Sequence, residues 1–280
     1  MSAVTGSAEA GVGRPTLLGV RYDASSSFLR GPAAAPPAIR AELRSEASNS
    51  WSEGGLDLAA PELFGDDGDV TPGDDPAASL APIENAVAAI LARGERPVVL
   101  GGDHSITHPV LRAVRRRHAP LTILHLDAHP DLYDEFEGGR HSHACPFARI
   151  MEEGLADQLV QVGIRAMSGL QRPQVERYGV EVVDMARWVR GERWTLRHPV
   201  YLSLDLDALD PAFAPGVSHR EAGGLSVREV LSIIHGIDQP IVGADLVEYN
   251  PRRDIDDVTV PVAAKLLKEI LATMLGWRPR

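Results

Sequence analysis

The chain has 280 residues, a formal net charge of −11, 44% hydrophobic and 24% charged residues, and a single cysteine. That balance fits a soluble globular protein with a sizeable core, leaves no apolar run long enough to span a bilayer, and argues against binding nucleic acid or an anionic membrane through a general field, favouring cationic ligands instead. Cys145 alone excludes an intrachain disulfide and fits a reducing compartment.

Residues 1–15, rich in Ala, Gly and Ser, lack the basic start and apolar centre of a secretory signal. They are expected to form a disordered leader, leaving residues 16–280 as one domain with a cytoplasmic location as the default. Residues 16–20 begin a series of short apolar runs that recurs at 97–100, 121–126, 158–164, 180–183, 200–204 and 241–247. Runs apolar on both faces, separated by helical patterns, predict a parallel sheet covered on each side, a three-layer α/β architecture. Residues 51–58 offer one further strand, whereas 65–75, with five Asp, three Gly and one Pro, read as a surface loop rather than a calcium loop. A helix is predicted over 82–93, where Ile83, Val87, Ile90 and Leu91 form an apolar stripe behind Pro82. Arg115-Arg116-Arg117, the compact basic run, falls at a helix end, where it complements the helix dipole rather than forming a recognition patch. A further helix starts at the capping box Ser226-Val227-Arg228-Glu229, and another covers 258–275 with Val262, Leu266, Ile270 and Met274 on one face.

Three short segments carry the chemistry: Gly101-Gly102-Asp103-His104-Ser105, Asp127-Ala128-His129-Pro130-Asp131 and Asp205-Leu206-Asp207. Each follows an apolar run and so falls at the carboxyl edge of a predicted strand, the edge at which open parallel sheets bind ligands. Alternate residues of an extended segment share a face, so Asp127, His129 and Asp131 can converge from one strand end and Asp205 with Asp207 from another, joined by His104. Carboxylates and imidazoles are ligands of divalent ions. Bringing together Asp127, Asp131, Asp205 and Asp207 without a counter-charge would cost on the order of several kcal/mol in repulsion and desolvation. Two divalent ions remove that cost, and metal-assisted hydrolysis is the expected chemistry.

Other polar residues take plainer roles. His125 would point with Asp127 and is assigned to packing or to supporting the ligands, and Asp103 to orienting His104 or capping the next helix. Asp210-Pro211 reads as a turn. His141 and His143 both remain candidates for function, while His118, His198 and His235 have no ligand partner nearby in sequence and read as surface or helix-end residues. Cys145 reads as a packing residue, with a Cys-His pair to His143 as the minor alternative.

With these segments placed, the chain resembles the ureohydrolase family of arginases, agmatinases and their relatives. The resemblance lies in GGDHS (101–105), DAHPDLYDEFEG (127–138), SHACPFARI (142–150), SLDLDALDPAFAPGVSHREAGGLS (203–226) and GADLVEYNP (243–251), in the family's order, and is strongest toward agmatinase-like bacterial enzymes and plant-type arginases. It implies a three-layer α/β/α sandwich around a mostly parallel eight-stranded sheet. It also implies two Mn2+ per chain, with Asp127 and Asp205 bridging the ions, His104 and Asp131 completing one shell, and His129 and Asp207 the other. By the same resemblance His143, rather than His141, moves protons between solvent and the reacting centre, Asp131 returns a proton to the departing amine, Glu248 pairs with the substrate guanidinium, and the chain forms a homo-oligomer, a trimer or hexamer. The physics agrees: a near-neutral pKa suits His143 to proton transfer, and a carboxylate meets a planar guanidinium through parallel charge-assisted hydrogen bonds.

The expected reaction is hydrolysis of a small cationic guanidino compound to urea and an amine. Agmatine to putrescine comes first, ahead of L-arginine to ornithine and of guanidinobutyrate, because residues 135–141 and Ala166-Met167-Ser168 do not reproduce the polar groups that hold the amino-acid head in animal and bacterial arginases. Three alternatives differ in class. A dinuclear phosphoesterase would need a Gly-His-x-His segment that the chain lacks after residue 205, a one-zinc deacetylase would leave His104 and Asp131 unexplained, and a binding protein would keep the fold without turnover.

Overall fold

The computed structural model describes residues 13–279. Eight strands run parallel in one sheet: β1 (Pro15–Val20), β2 (Gly65–Val70), β3 (Arg96–Leu100), β4 (Thr122–Leu126), β5 (Gln158–Val162), β6 (Glu181–Val183), β7 (Val200–Asp205) and β8 (Ile241–Val247). Their order is β2-β1-β3-β8-β7-β4-β5-β6, and every pairing is parallel. Successive strand residues enter opposite cores: Leu17, Val98, Leu124, Val160 and Leu202 face one, and Leu18, Val99, Ile123, Leu159 and Tyr201 the other. The two-residue period of a strand requires this when both faces are covered.

Helices α1 (Ala35–Leu43), α6 (Met185–Val189), α7 (Val227–His235) and α8 (Thr259–Met274) close the first core. The second is closed by α2 (Leu80–Ala92), α3 (Thr107–Arg117), α4 (Pro146–Glu152) and α5 (Arg172–Tyr178). The result is the expected three-layer α/β/α arrangement. Local signals set the helix ends as expected: Glu229 N–H donates to Ser226 Oγ at 3.2 Å while Glu229 Oε2 accepts Ser226 N–H at 2.8 Å, completing the capping box of α7. At the end of α3, Arg115 is paired with Asp157 and Arg116 with Glu84, so the basic run is engaged within the chain. No helix among the described residues is long and apolar enough to cross a membrane.

Two expectations need correction and one is partly outside view. Residues 65–75 are not simply a loop, because β2 lies within them as the edge strand beside β1. The sequence GDDGDV has no apolar alternation to reveal a strand, and an edge strand needs backbone partners on one side only. Its anchor is ionic: the Arg40 guanidinium, whose side chain is 10% exposed, reaches the Asp66 carboxylate at 3.0 Å, Asp69, and the Gly68 carbonyl at 2.7 Å. Residues 51–58 contribute an isolated antiparallel bridge between Trp51 and Asp57, not a strand of the sheet. Of the expected leader, residues 1–12 lie outside the described residues, while Arg14 pairs with Glu95 at 2.9 Å and Pro15 already belongs to β1.

The four central neighbours β3, β8, β7 and β4 end at one edge, where their carboxyl termini deliver His104, Glu248, Asp205 and Asp127. Here the chain order along the sheet reverses, which opens a crevice beyond the strand ends. At the turn after β3 only glycine fits, since a Cβ on Gly102 would lie 1.9 Å from the Tyr22 carbonyl oxygen.

Arg40→Ala should lower the unfolding free energy by about 2–4 kcal/mol, because it leaves two partly buried carboxylates without their cation. Arg44→Ala, removing a side chain that is 64% exposed, should cost under about 1 kcal/mol, and Ser226→Ala about 1 kcal/mol. Urea titration of the three variants checks this ranking; equal losses for both arginines would mean that the buried guanidinium does not hold β2.

Candidate metal centre

His104 stands in the short 3-10 turn after β3, where Asp103 accepts Ser105 N–H at 3.1 Å and so caps the turn. Its imidazole is fully buried, with Nδ1 lying 3.1 Å from Asp127 Oδ2, 3.1 Å from Asp131 Oδ2 and 3.2 Å from Asp205 Oδ2. On the far side of the ring, Ser203 Oγ donates to Asp245 Oδ1 at 2.7 Å, so toward His104 Nε2, 3.0 Å away, it accepts. Nε2 therefore carries the hydrogen, and Nδ1 aims a lone pair at three carboxylates. Nδ1 makes no hydrogen bond. Such an arrangement calls for a cation at its centre. Burial opposes an imidazolium, yet Asp127, Asp131 and Asp205 hold the His104 pKa well above the usual histidine range, which makes a proton one possible occupant and a metal ion the other.

A second set adjoins the first through Asp127. His129 Nδ1 lies 3.5 Å from Asp127 Oδ1 and 3.1 Å from Asp207 Oδ2. Asp127, His129 and Asp207 offer ligand atoms close enough to share one ion. Mutual repulsion is visible in the titration of the acids. Burial, followed by Asp207 and Asp127, pushes Asp205 well above the usual carboxylate range, and burial raises Asp207 to about 6, with His129 opposing and Asp127 adding. Asp127 goes the other way: burial is outweighed by His125, His104 and His129, which hold it well below its ordinary value. An oxygen-rich donor set with one imidazole in each half fits a pair of divalent cations.

The backbone and its neighbours fix these donors. Asp127 accepts His129 N–H at 2.6 Å, Asp205 accepts Asp207 N–H at 2.7 Å, and Asp207 accepts Ala128 N–H at 3.1 Å, so each segment folds back onto a donor carboxylate. Arg165 donates to the carbonyls of Asp207 at 2.7 Å and Glu221 at 2.7 Å, gripping the turn behind Asp207. His125 also lies close to His104 and Asp127, but both of its ring nitrogens are engaged. Gln161 Nε2 donates to His125 Nδ1 at 3.0 Å, leaving Nε2–H to donate to Asp127 Oδ2 at 2.7 Å. Burial lowers the His125 pKa and keeps it neutral, so it orients Asp127, one of the two roles expected from sequence.

A cavity of about 170 Å³ opens above the donors, with Asp131, His129, Asp205 and Asp207 at its base and His143 and Glu248 on its wall. Glu248 has φ 63° and Asp131 φ 49°, left-handed conformations that turn both side chains at the edge of the site. Glu248 Oε1 accepts His104 N–H at 3.0 Å and faces His143 Nδ1 at 3.1 Å. Burial would raise the Glu248 pKa, but His143 and the His104 amide lower it, and in return Glu248 lifts His143 against the pull of burial to about 9, above the near-neutral value expected from sequence. His141, the competing histidine, stacks on His108 with ring centroids 6.3 Å apart and does not line this cavity. Cys145 is buried, with Sγ 3.6 Å from the Gly139 carbonyl oxygen, and burial pushes its thiol up to about 12, which suits packing rather than nucleophilic attack.

Ser27, Gln171 and His219 also line the cavity and were not singled out by sequence reasoning. The His219 ring centroid lies 5.2 Å from that of His143 and 6.0 Å from that of His129. Each of these residues comes from a different loop without a neighbouring partner in sequence; His219 lay within the stretch 203–226 that carried the family resemblance, which was the one available signal.

A parallel sheet with two adjoining carboxylate–imidazole sets at the ends of its central strands defines the class, a metal-dependent enzyme of three-layer α/β/α architecture. The arginase family model matches residues 14–273. Arginase 1, mitochondrial, of Arabidopsis thaliana is 48% identical over 274 residues, covering 92% of this chain and 80% of that protein. The solved structure of arginase from Medicago truncatula superposes with a TM-score of 0.89 at 44% identity, covering 94% of this chain and 88% of that one. Agmatinase, mitochondrial, of Gallus gallus is 40% identical over 208 residues, 69% of this chain and 61% of that protein. The chain belongs to the arginase family and is a metal-dependent ureohydrolase.

Calorimetry on metal-free protein should register two divalent ions per chain, and Asp127→Ala, which removes the carboxylate common to both sets, should reduce binding to well under one. His125→Ala should weaken binding by about 10–100-fold with the stoichiometry unchanged, the usual effect of losing a residue that orients a ligand. Loss of one ion in His125→Ala would instead place His125 among the donors.

Proposed function

We propose that this protein is an arginase that hydrolyses L-arginine to ornithine and urea with two Mn2+ per chain. The observation that carries the reading is Glu248, a buried carboxylate held in its charged form on the cavity wall beside the donor sets, as a guanidinium partner must be. Among guanidino substrates, likeness to a plant arginase over 92% of the chain at 48% identity, against 69% at 40% for an agmatinase, favours arginine. That reverses the order expected from sequence. The cavity wall supports the change: Gln171, whose Oε1 accepts Ser168 N–H at 3.2 Å, leaves its amide NH2 free for a carboxylate, and His219 adds a second polar contact.

In this reading His104, Asp127, His129, Asp131, Asp205 and Asp207 would hold the two ions, His104 and Asp131 on one side, His129 and Asp207 on the other, and Asp127 and Asp205 between them. When bound, the ions neutralise the four acids and activate water for attack on the guanidinium carbon. Glu248 holds the guanidinium through charge-assisted hydrogen bonds. Asp131 accepts the proton of the attacking water and returns it to the departing amine, while His143 exchanges protons with solvent. One domain over residues 16–280, assembly as a trimer or hexamer, and a cytoplasmic location complete the proposal; the single buried cysteine supports the last.

Urea release from arginine, agmatine, guanidinobutyrate, guanidinopropionate and guanidine, measured on manganese-loaded protein, tests it. Arginine should give the highest kcat/KM, by at least about tenfold, or about 1.4 kcal/mol of differential transition-state binding. A higher value for agmatine would overturn the substrate, and no urea from any compound would overturn the activity. His143→Ala should lower kcat by about 100-fold, the scale of one acid–base group, with little change in KM.

A further inference from the structure

The loop joining β1 to α1 is tied to the site at several points. The Asp103 carboxylate accepts Ser25 N–H at 2.9 Å and Ser26 Oγ–H at 3.4 Å, and Tyr22 Oη and Ser25 Oγ are 2.9 Å apart. The Ser25 carbonyl accepts His143 N–H at 3.2 Å, and Asp23 is held by Arg30 Nε at 2.9 Å and Ala33 N–H at 3.2 Å. These bonds place Ser27 Oγ 2.8 Å from His143 Nε2, on the wall of the cavity. Phe28, the next residue, sets its ring 5.7 Å from His219.

The other side of the His143 ring settles which nitrogen exchanges its proton. Nδ1 faces Glu248 Oε1, an acceptor that already takes the His104 amide, so Nδ1 keeps its hydrogen whether the ring is neutral or charged. The exchangeable proton therefore belongs to Nε2, and Ser27 Oγ is its hydrogen-bond partner among the described residues. A hydroxyl suits both states of the ring, donating to a neutral Nε2 and accepting from Nε2–H without any movement of heavy atoms. His143 is only 8% exposed, whereas Ser27 is half-buried and meets the open cavity.

We propose that Ser27 is a positioning residue for His143 and its proton link to solvent. In charging the imidazole, the Ser27 O–H bond breaks as Nε2–H forms, and Oγ takes a replacement proton from a cavity water, whose hydroxide is neutralised by buffer acid in bulk solvent. Serine ends unchanged, and one proton has passed from water to the ring; the reverse sequence discharges it. The proposal rests on the reading of His143 as the group that exchanges protons.

Steady-state kinetics of the metal-loaded enzyme, with His143→Ala beside it, tests the proposal. Ser27→Ala should keep its metal content and lower kcat by about tenfold, with KM within about twofold. Millimolar imidazole should restore much of that loss, since a small buffer replaces a missing relay, and Ser27→Thr should keep most of the wild-type kcat. In the metal-free protein above pH 9, where the ring is neutral, 15N shifts of His143 should report Nδ1–H in both proteins, with the Nε2 shift of Ser27→Ala moved toward that of an unbonded ring nitrogen. Should Ser27→Ala not fold, Ser27→Cys, with its weaker donor, is read the same way. An unchanged kcat in Ser27→Ala beside an impaired His143→Ala overturns the role of Ser27 and leaves that of His143 standing. A loss that neither imidazole nor threonine repairs assigns Ser27 to structure alone and overturns the relay. Full activity in His143→Ala overturns the reading of His143 and the relay with it.

Discussion

The Nδ1 lone pair of His104 points at three buried carboxylates that arrive from two other segments of the chain, and the architecture of the site follows from the need to neutralise that encounter. Four acids gathered at the ends of central strands repel one another and lose their hydration, so they need positive charge among them; a proton on His104 relieves one half only. The sheet makes the encounter possible. β3, β8, β7 and β4 are adjacent, so their ends stay within a few ångströms of each other whatever the surrounding loops do. Covering helices on both faces keep those ends rigid, and the chain stores local strain in the left-handed backbones of Asp131 and Glu248 to aim the last two acids.

Three histidines around the centre are each locked into one tautomer by a partner on the far side of the ring. Asp245 commits the Ser203 hydroxyl, which frees His104 Nδ1 for a cation. Gln161 donates to His125 Nδ1, which turns that ring into a donor for Asp127 and removes it from the ligand set. Glu248 takes the Nδ1 hydrogen of His143, leaving Nε2 to face Ser27 Oγ. The same side-chain type thus aims a lone pair at three carboxylates, a hydrogen at one carboxylate, or a free nitrogen at a hydroxyl, and what separates the three is the hydrogen bond each makes away from the centre.

How much of this was legible in the sequence depended on whether the signal was local. The strands buried on both faces announced themselves as apolar runs, and the donors as Asp-x-His-x-Asp and Asp-x-Asp at the ends of such runs, because a period of two along a strand end is a short-range pattern. β2 escaped because its stability comes from the Arg40 guanidinium and not from apolar side chains, so its composition mimics a loop. His125 was read correctly in outline, but Gln161, which fixes its tautomer, lies 36 residues away. Ser27 is farther still from its partner, 116 residues from His143, and Gln171 and His219 reach the cavity from isolated loop positions. Contacts of that separation exist only once the sheet has formed.

The same division explains why the expected order of substrates shifted while the expected donors all converged. Donors sit at strand ends, where a shift of one residue would turn each side chain to the wrong face, so their geometry is fixed by the register of the sheet. The cavity wall above those donors is built from the β1–α1 loop, the loop after β4, the segment before α5 and the loop holding His219. Residues 135–141 and 166–168 by themselves carry no groups for an amino-acid head, yet Gln171, just beyond them, is a polar residue lining the cavity. Rigid strand ends therefore determine the class of reaction, and a handful of loop side chains, each replaceable without disturbing the sheet, determine which guanidino compound enters.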